Sequence, residues 1–336
     1  MTDLDFIVGL PKAELHMHIE GSIEAELMFA LAERNGVALR WPTVEALRAA
    51  YTFDNLQGFL DLYYDGCRML VTAQDFYDVT RAYLRRAHAD NVLHAEMFTG
   101  PQSHTARGIT LATQLEGVFG AMDDAQREDG ITSGLLLGAQ RHRSEAEAMA
   151  LFDEAQPWAN RLLGFGLGGS ELGNPPSKFA NFYARCRTAG FKTTAHAGEE
   201  GPAAYVRESV ELLQVDRLDH GNACMDDPAL VTELAASGIA LTVCPLSNLR
   251  LQVVRSLASH PLKAMLEAGL CVTVNSDDPS YFGGYLNDNF SQTAEALGLN
   301  RTHLTTLARN SFNAAFMAEA ERSRCLATLD AYVAAA

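Results

Sequence analysis

His16 and His18 stand two residues apart at the end of an apolar run, so on a strand both imidazoles project from one face. Three other runs end on similar chemistry. One closes on His196, followed by Ala197-Gly198-Glu199, and one on Asp219-His220-Gly221. A third leads through Asn275-Ser276 into Asp277-Asp278-Pro279. Neutral imidazoles together with a carboxylate form a donor set for a borderline-soft divalent ion, most commonly zinc. Glu199 follows His196 by three residues, close enough to share its pocket without having to ligate, and a carboxyl there can shuttle protons. His220 is placed to accept a proton from a water or to orient it. Of the pair Asp277-Asp278, one can face an ion and the other a substrate.

Each feature alone has a plainer reading. A single histidine is more often structural, His-x-His recurs by chance, and Asp-Asp-Pro reads as a helix N-cap. It is the coincidence at several strand ends that points to a metal site. His88, His94, His104, His142, His260 and His303 read as surface or satisfied core residues. Among these, His104 follows Pro101-Gln102-Ser103 and is the one placed to line a mouth.

The elements that must position these groups are short apolar strands separated by amphipathic helices. The strands are expected at Ala13–His18, Val92–Phe98, Gly134–Ala139, Leu162–Leu167, Lys192–His196, Asp216–His220, Ile239–Cys244 and Cys271–Asn275. Helical patterns fall at Glu24–Asn35, Gln74–Asp90, Leu111–Glu128, Ser144–Ala155, Ala203–Leu213 and Pro228–Ala236. Eight strands alternating with helices predict an α/β fold, a (β/α)8 TIM barrel. Its chemical groups then sit on the C-terminal rim, where barrel enzymes build their sites. A doubly wound open sheet has similar alternation. A helical insertion is expected after strand 1, at about residues 24–90. Extra C-terminal helical sequence over Arg301–Ala320 should pack outside the barrel. Residues 1–336 then read as one elaborated domain.

Composition narrows the partners. The 336 residues are 48% hydrophobic and 20% charged, without repeats or low-complexity tracts, which excludes disorder. The 26 basic against 42 acidic residues leave a formal charge of -16. Such a surface repels polyphosphate and argues against nucleic acid and anionic membranes as partners. The six cysteines include no C-x-x-C pair, the start Met-Thr-Asp-Leu-Asp carries acid where a signal peptide carries base, and no apolar run approaches ~20 residues. A cytoplasmic protein with reduced thiols is expected, and a homo-oligomer stays open.

Taken together, these residues resemble a known family. Pro11-Lys12-Ala13-Glu14-Leu15-His16-Met17-His18-Ile19-Glu20-Gly21-Ser22 is similar to the opening motif of the adenosine/adenine deaminases, metal-dependent amidohydrolase barrels. His196-Ala197-Gly198-Glu199-Glu200, Arg217-Leu218-Asp219-His220-Gly221, Cys244-Pro245-Leu246-Ser247-Asn248 and Val274-Asn275-Ser276-Asp277-Asp278-Pro279 resemble its remaining motifs, in order, over nearly the whole chain. The resemblance implies one zinc ion per chain on His16, His18, His196 and Asp277. It implies Glu199 as the acid that protonates purine N1, and His220 as the group that orients and deprotonates the attacking water. Asp278 is implied as a contact to that water and to purine N7. The implied reaction is hydrolysis of a 6-aminopurine at C6 with loss of ammonia.

Branch-level features favour the free base adenine. Members that act on adenosine usually carry Asp, in contact with the ribose, where this chain has the longer Glu20. Ser276–Tyr285, Asp61-Leu62-Tyr63-Tyr64, Asp75-Phe76-Tyr77 and Gly173-Asn174-Pro175-Pro176 look more like the adenine branch. Two segments depart from it. Thr99-Gly100 stands where an aromatic and an Asp are usual, and glycines including Gly168-Gly169 replace an Asp-Ser before Glu171. Drift in flexible loops is one explanation. Another is that glycine at Gly169 lets backbone approach a purine and enlarges the pocket. Adenosine, an N6-substituted adenine or aminodeoxyfutalosine are then alternative substrates. Two further alternatives are a two-metal hydrolase of another substrate class and a catalytically inactive purine-binding barrel. Lys192 begins its strand, poorly placed for the modified lysine of the former, and the intact residue set disfavours the latter.

Overall fold

Eight parallel strands follow one another in chain order around a barrel: β1 (Lys12–His18), β2 (Val92–Thr99), β3 (Thr132–Gln140), β4 (Gly164–Gly168), β5 (Lys192–Ala197), β6 (Arg217–His220), β7 (Ala240–Val243) and β8 (Cys271–Val274). The computed structural model describes residues 3–336. The expected strands are all present, each with ends shifted by one or two residues. Runs such as Leu135-Leu136-Leu137 are wholly buried, as both faces of a barrel strand are covered. The barrel closes through a bridge between Met17 and Asp277. The His18 N–H donates to the Asp277 carbonyl at 2.8 Å, and the Asp277 N–H to the His16 carbonyl at 3.1 Å. Closure itself therefore sets expected ligands side by side.

One seam is thin. β4 and β5 pair only through Gly164–Lys192 and Phe165–Thr193. A Cβ on Gly164 would lie 1.8 Å from the Lys192 carbonyl oxygen, so only glycine lets the strands meet there. Beyond those pairs side chains take over. The Arg141 guanidinium, carried just past β3, donates to the His196 carbonyl on β5 at 2.6 Å.

After an N-terminal helix α1 (Asp3–Gly9), residues 24–90 hold four helices: α2 (Ala25–Asn35), α3 (Val44–Ala49), α4 (Leu56–Cys67) and α5 (Ala73–Ala89). The last of these belongs to the outer ring. α5 packs along helix Leu111–Asp129, and Gly117 brings the two backbones together, since a Cβ there would lie 2.0 Å from the Ala73 carbonyl oxygen. A capping box between Thr72 and Asp75 starts α5. α2 to α4 are thus the addition to the basic barrel.

The expected helix over Arg301–Ala320 is two helices, Arg301–Ala314 and Glu319–Ala335. No Gly or Pro marks the break; tertiary contacts make it. Ala315 turns extended, the Phe316 N–H donates to the buried Glu96 carboxylate, and the Phe316 ring lies over Arg217 with its guanidinium carbon 4.3 Å from the ring centre. Arg217 is itself buried and paired with Glu96 at 2.5 Å. The segment expected helical over Ala203–Leu213 is α-helical only to Glu208 and continues as a wider π turn, Ser209–Leu213. Among the described residues no helix is long and apolar enough to cross a membrane.

Candidate active site

The C-terminal ends of β1, β5 and β8 converge on one point. The Nε2 atoms of His16 and His18 lie 3.1 and 3.2 Å from His196 Nε2, and 3.3 and 3.4 Å from Asp277 Oδ1. Donors held at about 2.0 Å around a tetrahedral zinc ion stand about 3.3 Å apart, so the spacing fits such an ion. The donor chemistry fits too. Asp219 Oδ2 lies 3.3 Å from His196 Nδ1 and favours the ring proton on that side, which turns an Nε2 lone pair towards the other donors. Burial, then the neighbouring His16, lowers the His196 pKa to about 4, so the ring is neutral as a ligand must be. Asp219 also accepts from Thr242 Oγ1 at 3.1 Å, and that hydroxyl lies 3.0 Å from His16 Nδ1. One carboxylate thus supports two of the converging rings. Asp277 is fixed from its neighbour: Glu14 accepts both the Ser276 N–H at 2.9 Å and its hydroxyl at 2.5 Å, and also the Tyr83 hydroxyl at 2.6 Å.

Three titratable groups surround this cluster. Glu199 Oε2 lies 3.5 Å from His220 Nε2, which in turn is 3.9 Å from Asp277 Oδ2. Burial first, then the charges of Asp277 and Glu171, hold the Glu199 carboxyl well above the usual carboxylate range. Burial and the adjacent His16 push His220 well below the usual imidazole range. Asp278 is raised well above its ordinary value by burial and then by Asp277, and its Oδ1 is buried without a partner. Asp278 occupies the N-cap position of the short helix Pro279–Phe282, yet its side chain caps nothing. A Cβ on Gly21 would lie 2.0 Å from Asp278 Oδ1, so that glycine makes room for the carboxyl. His220 and Asp277 have φ of +63° and +64°, left-handed backbone that non-glycine residues adopt at a cost.

A cleft of about 660 Å³, mouth included, opens above these groups. His18, His196, Glu199, His220, Asp277 and Asp278 line its floor. Leu56, Phe59, Leu60, Tyr63 and Tyr64 of α4 make an apolar wall. Gly168 and Gly169 face it. A Cβ on Gly168 would stand 3.6 Å from the His196 ring, so its absence leaves space over one of the converging histidines. Gly169 has φ of +91°, a conformation that suits glycine for backbone reasons alone.

Glu20 stands in the wall behind the cleft. Its Oε1 accepts from the Thr99 hydroxyl at 2.8 Å, the Gly100 N–H at 2.9 Å and His104 Nε2 at 2.9 Å, while Oε2 is buried without a partner. Burial opposes its charge, but the His104 contact and the Gly100 N–H hold its pKa below the ordinary value. His104 is fully buried against Phe76 rather than placed at the mouth. The unusual pair Thr99-Gly100 therefore serves Glu20.

Sequence reasoning missed two groups. Glu171 is buried and collects the N–H groups of Gly198, Glu199, Glu200 and Gly201 at 2.7–3.1 Å. Glu200 points away from the floor and accepts the Leu56 N–H at 2.9 Å, tying the first turn of α4 to the loop that carries Glu199. Glu200 stood within the His196 motif and Glu171 closed the Gly168-Gly169 segment, but a lone carboxyl has no spacing rule that reports backbone partners.

Comparison with known proteins agrees with this geometry. A family model described as adenosine deaminase matches residues 11–332. The chain is 60% identical over 335 residues to an adenine deaminase from Rhodopseudomonas palustris, covering 99% of this chain and 98% of the relative. Among solved structures it is similar to the adenine deaminase of Arthrobacter aurescens, with 47% identity, a TM-score of 0.95 and coverage of 97% and 99%. It is also similar to an amidohydrolase from Burkholderia ambifaria with bound Zn, at 30% identity, a TM-score of 0.91 and coverage of 100% and 95%.

Proposed function

The chain belongs to the adenosine deaminase family, and on that premise we propose that it hydrolyses adenine to hypoxanthine and ammonia. It is a hydrolase acting on cyclic amidines. The proposal assigns one zinc ion per chain to His16, His18, His196 and Asp277. The observation that carries it is the convergence of those four donors beneath a cleft that also holds Glu199, His220 and Asp278. Zinc bound there would supply Lewis acidity, making water nucleophilic near neutral pH.

The remaining chemistry belongs to side chains. Glu199, with its raised pKa, keeps a proton at neutral pH and gives it to purine N1, which makes C6 electrophilic. His220, held neutral, takes a proton from the water as its oxygen bonds to C6. That proton leaves with the C6 amino group as ammonia when the C–N bond breaks. The proton of the new C6 hydroxyl returns to Glu199, leaving N1–H and a C6 carbonyl. Asp278, also held protonated, offers its O–H to purine N7.

The net charge of -16 supports an uncharged base as substrate over a nucleotide or nucleic acid, and six free cysteines support a cytoplasmic setting. A single barrel domain over residues 1–336 accommodates the whole site. The open space beside Gly168 favours a second reading, an adenine with a small N6 substituent. Comparing kcat/KM for adenine, adenosine, N6-methyladenine and aminodeoxyfutalosine separates the two. Adenine is expected to lead, and a higher value for N6-methyladenine would select the second reading.

A further inference from the structure

We propose that Glu171 is a positioning residue for the proton donor Glu199, acting through the backbone of the loop between them. This rests on the assignment of Glu199 as the acid. The loop after β5 turns sharply, with Gly198 at φ of +70°, and leaves four successive N–H groups facing one side. Unpaired inside the protein, each would carry the full penalty of a desolvated donor. The Glu171 carboxylate takes all four: Oε1 accepts Gly198 at 2.8 Å, and Oε2 accepts Glu199 at 3.1 Å, Glu200 at 2.8 Å and Gly201 at 2.7 Å. With four donors fixed to one buried group, the backbone of Glu199 has a single orientation.

The clamp is itself anchored. Arg141, fully buried, lies 3.7 Å from Glu171 Oε1 and donates to the His196 carbonyl at 2.6 Å and to the Asn174 carbonyl at 2.9 Å. Asn174 in turn donates to the Ser170 carbonyl at 3.1 Å. This network spans the rim where β4 and β5 no longer pair. Glu171 thus replaces sheet hydrogen bonds at the point where the acid must be aimed. The site is packed on both sides: a Cβ on Gly201 would lie 2.6 Å from Glu171 Oε1, so Gly201 makes room for the carboxylate.

A side chain that acts only through Glu199 has no work to do once Glu199 is gone. The test is a double-mutant cycle on the metal-loaded protein with Glu171→Gln, Glu199→Gln and the double variant, reading kcat, KM and metal per chain. Gln keeps the shape of Glu171 but presents an NH2 to N–H donors, so the loop must shift. Displacement of about 1 Å costs about 100-fold in rate. The expected result is a loss of about that size in kcat for Glu171→Gln, with KM changed far less and metal retained. In the Glu199→Gln background the same substitution should change kcat no further. Equal losses in both backgrounds, parental activity, or a loss that tracks missing metal would each overturn the proposal. Should Glu171→Gln fail to fold, Glu171→Asp, which keeps the charge and shortens the reach, is put through the same cycle with the same criteria. Full activity of Glu199→Gln alone would instead defeat the assignment of the acid.

Discussion

Glu199 and His220 are two titratable groups whose environments push their pKa values in opposite directions, and a pH profile reads this directly. In the proposed mechanism Glu199 acts protonated, so an ordinary carboxyl near 4.5 would lose its proton, and the rate would fall, on the acid side of neutrality. Because burial, Asp277 and Glu171 raise it, the fall moves towards alkali. His220 is proposed to act neutral; burial and His16 move its protonation well below 6.5. The kcat/KM profile is therefore expected to be level through neutral pH, with an alkaline fall set by Glu199 and an acid fall below 6.5 set by His220. A rate already falling between pH 5 and 7 as pH rises would refute the role of Glu199. Asp219 yields a second expectation at this scale. Asp219→Asn weakens the support of both His196 and His16 and should cost about 10–100-fold in zinc affinity, measured by competition with a chelator. Unchanged affinity would mean the rings are fixed without it. The candidate ligands were legible in the sequence because imidazole and carboxylate at strand ends have few other uses in combination. Asp219 sat in a quoted motif, but its role depends on a contact between β5 and β6, which spacing does not reveal.

At the level of elements, the apolar alternation exposed the strands and most helices, whereas joints decided by tertiary contact stayed hidden. The break at residues 315–318 follows from Phe316 covering Arg217 and meeting Glu96, without a helix-stop residue. Likewise α5 read as the end of an insertion, although Gly117 and Ala73 seat it in the ring. α4 carries the apolar wall of the cleft, and the Glu200 carboxylate holds its first turn through Leu56 N–H. Losing a helix-terminus partner of this type costs about 1 kcal/mol, or roughly fivefold in an equilibrium. Glu200→Ala is therefore expected to raise KM about fivefold, with a smaller effect on kcat, because Asn55 still caps the helix through Gly58 N–H. Steady-state kinetics decide it: an unchanged KM would show that the latch does not order the wall.

Taken whole, the molecule uses barrel closure to bring chemistry from distant sequence together. β1 and β8 meet where His16, His18 and Asp277 stand, and the β4–β5 seam is left to Glu171 and Arg141. The barrel and its C-terminal rim were legible from eight strands ending in polar residues. The mouth was less so, since its walls come from α4 and from glycines whose effect depends on which neighbours they face. The acid surplus, scattered along the chain, argues only against polyanionic partners. Titrating metal-free protein with zinc while following ammonia release from adenine tests the central claim most directly. Ammonia and hypoxanthine should form in equal amounts, with a rate that rises until one zinc is bound per chain and then levels. Adenine left intact by fully zinc-loaded, folded protein would contradict it.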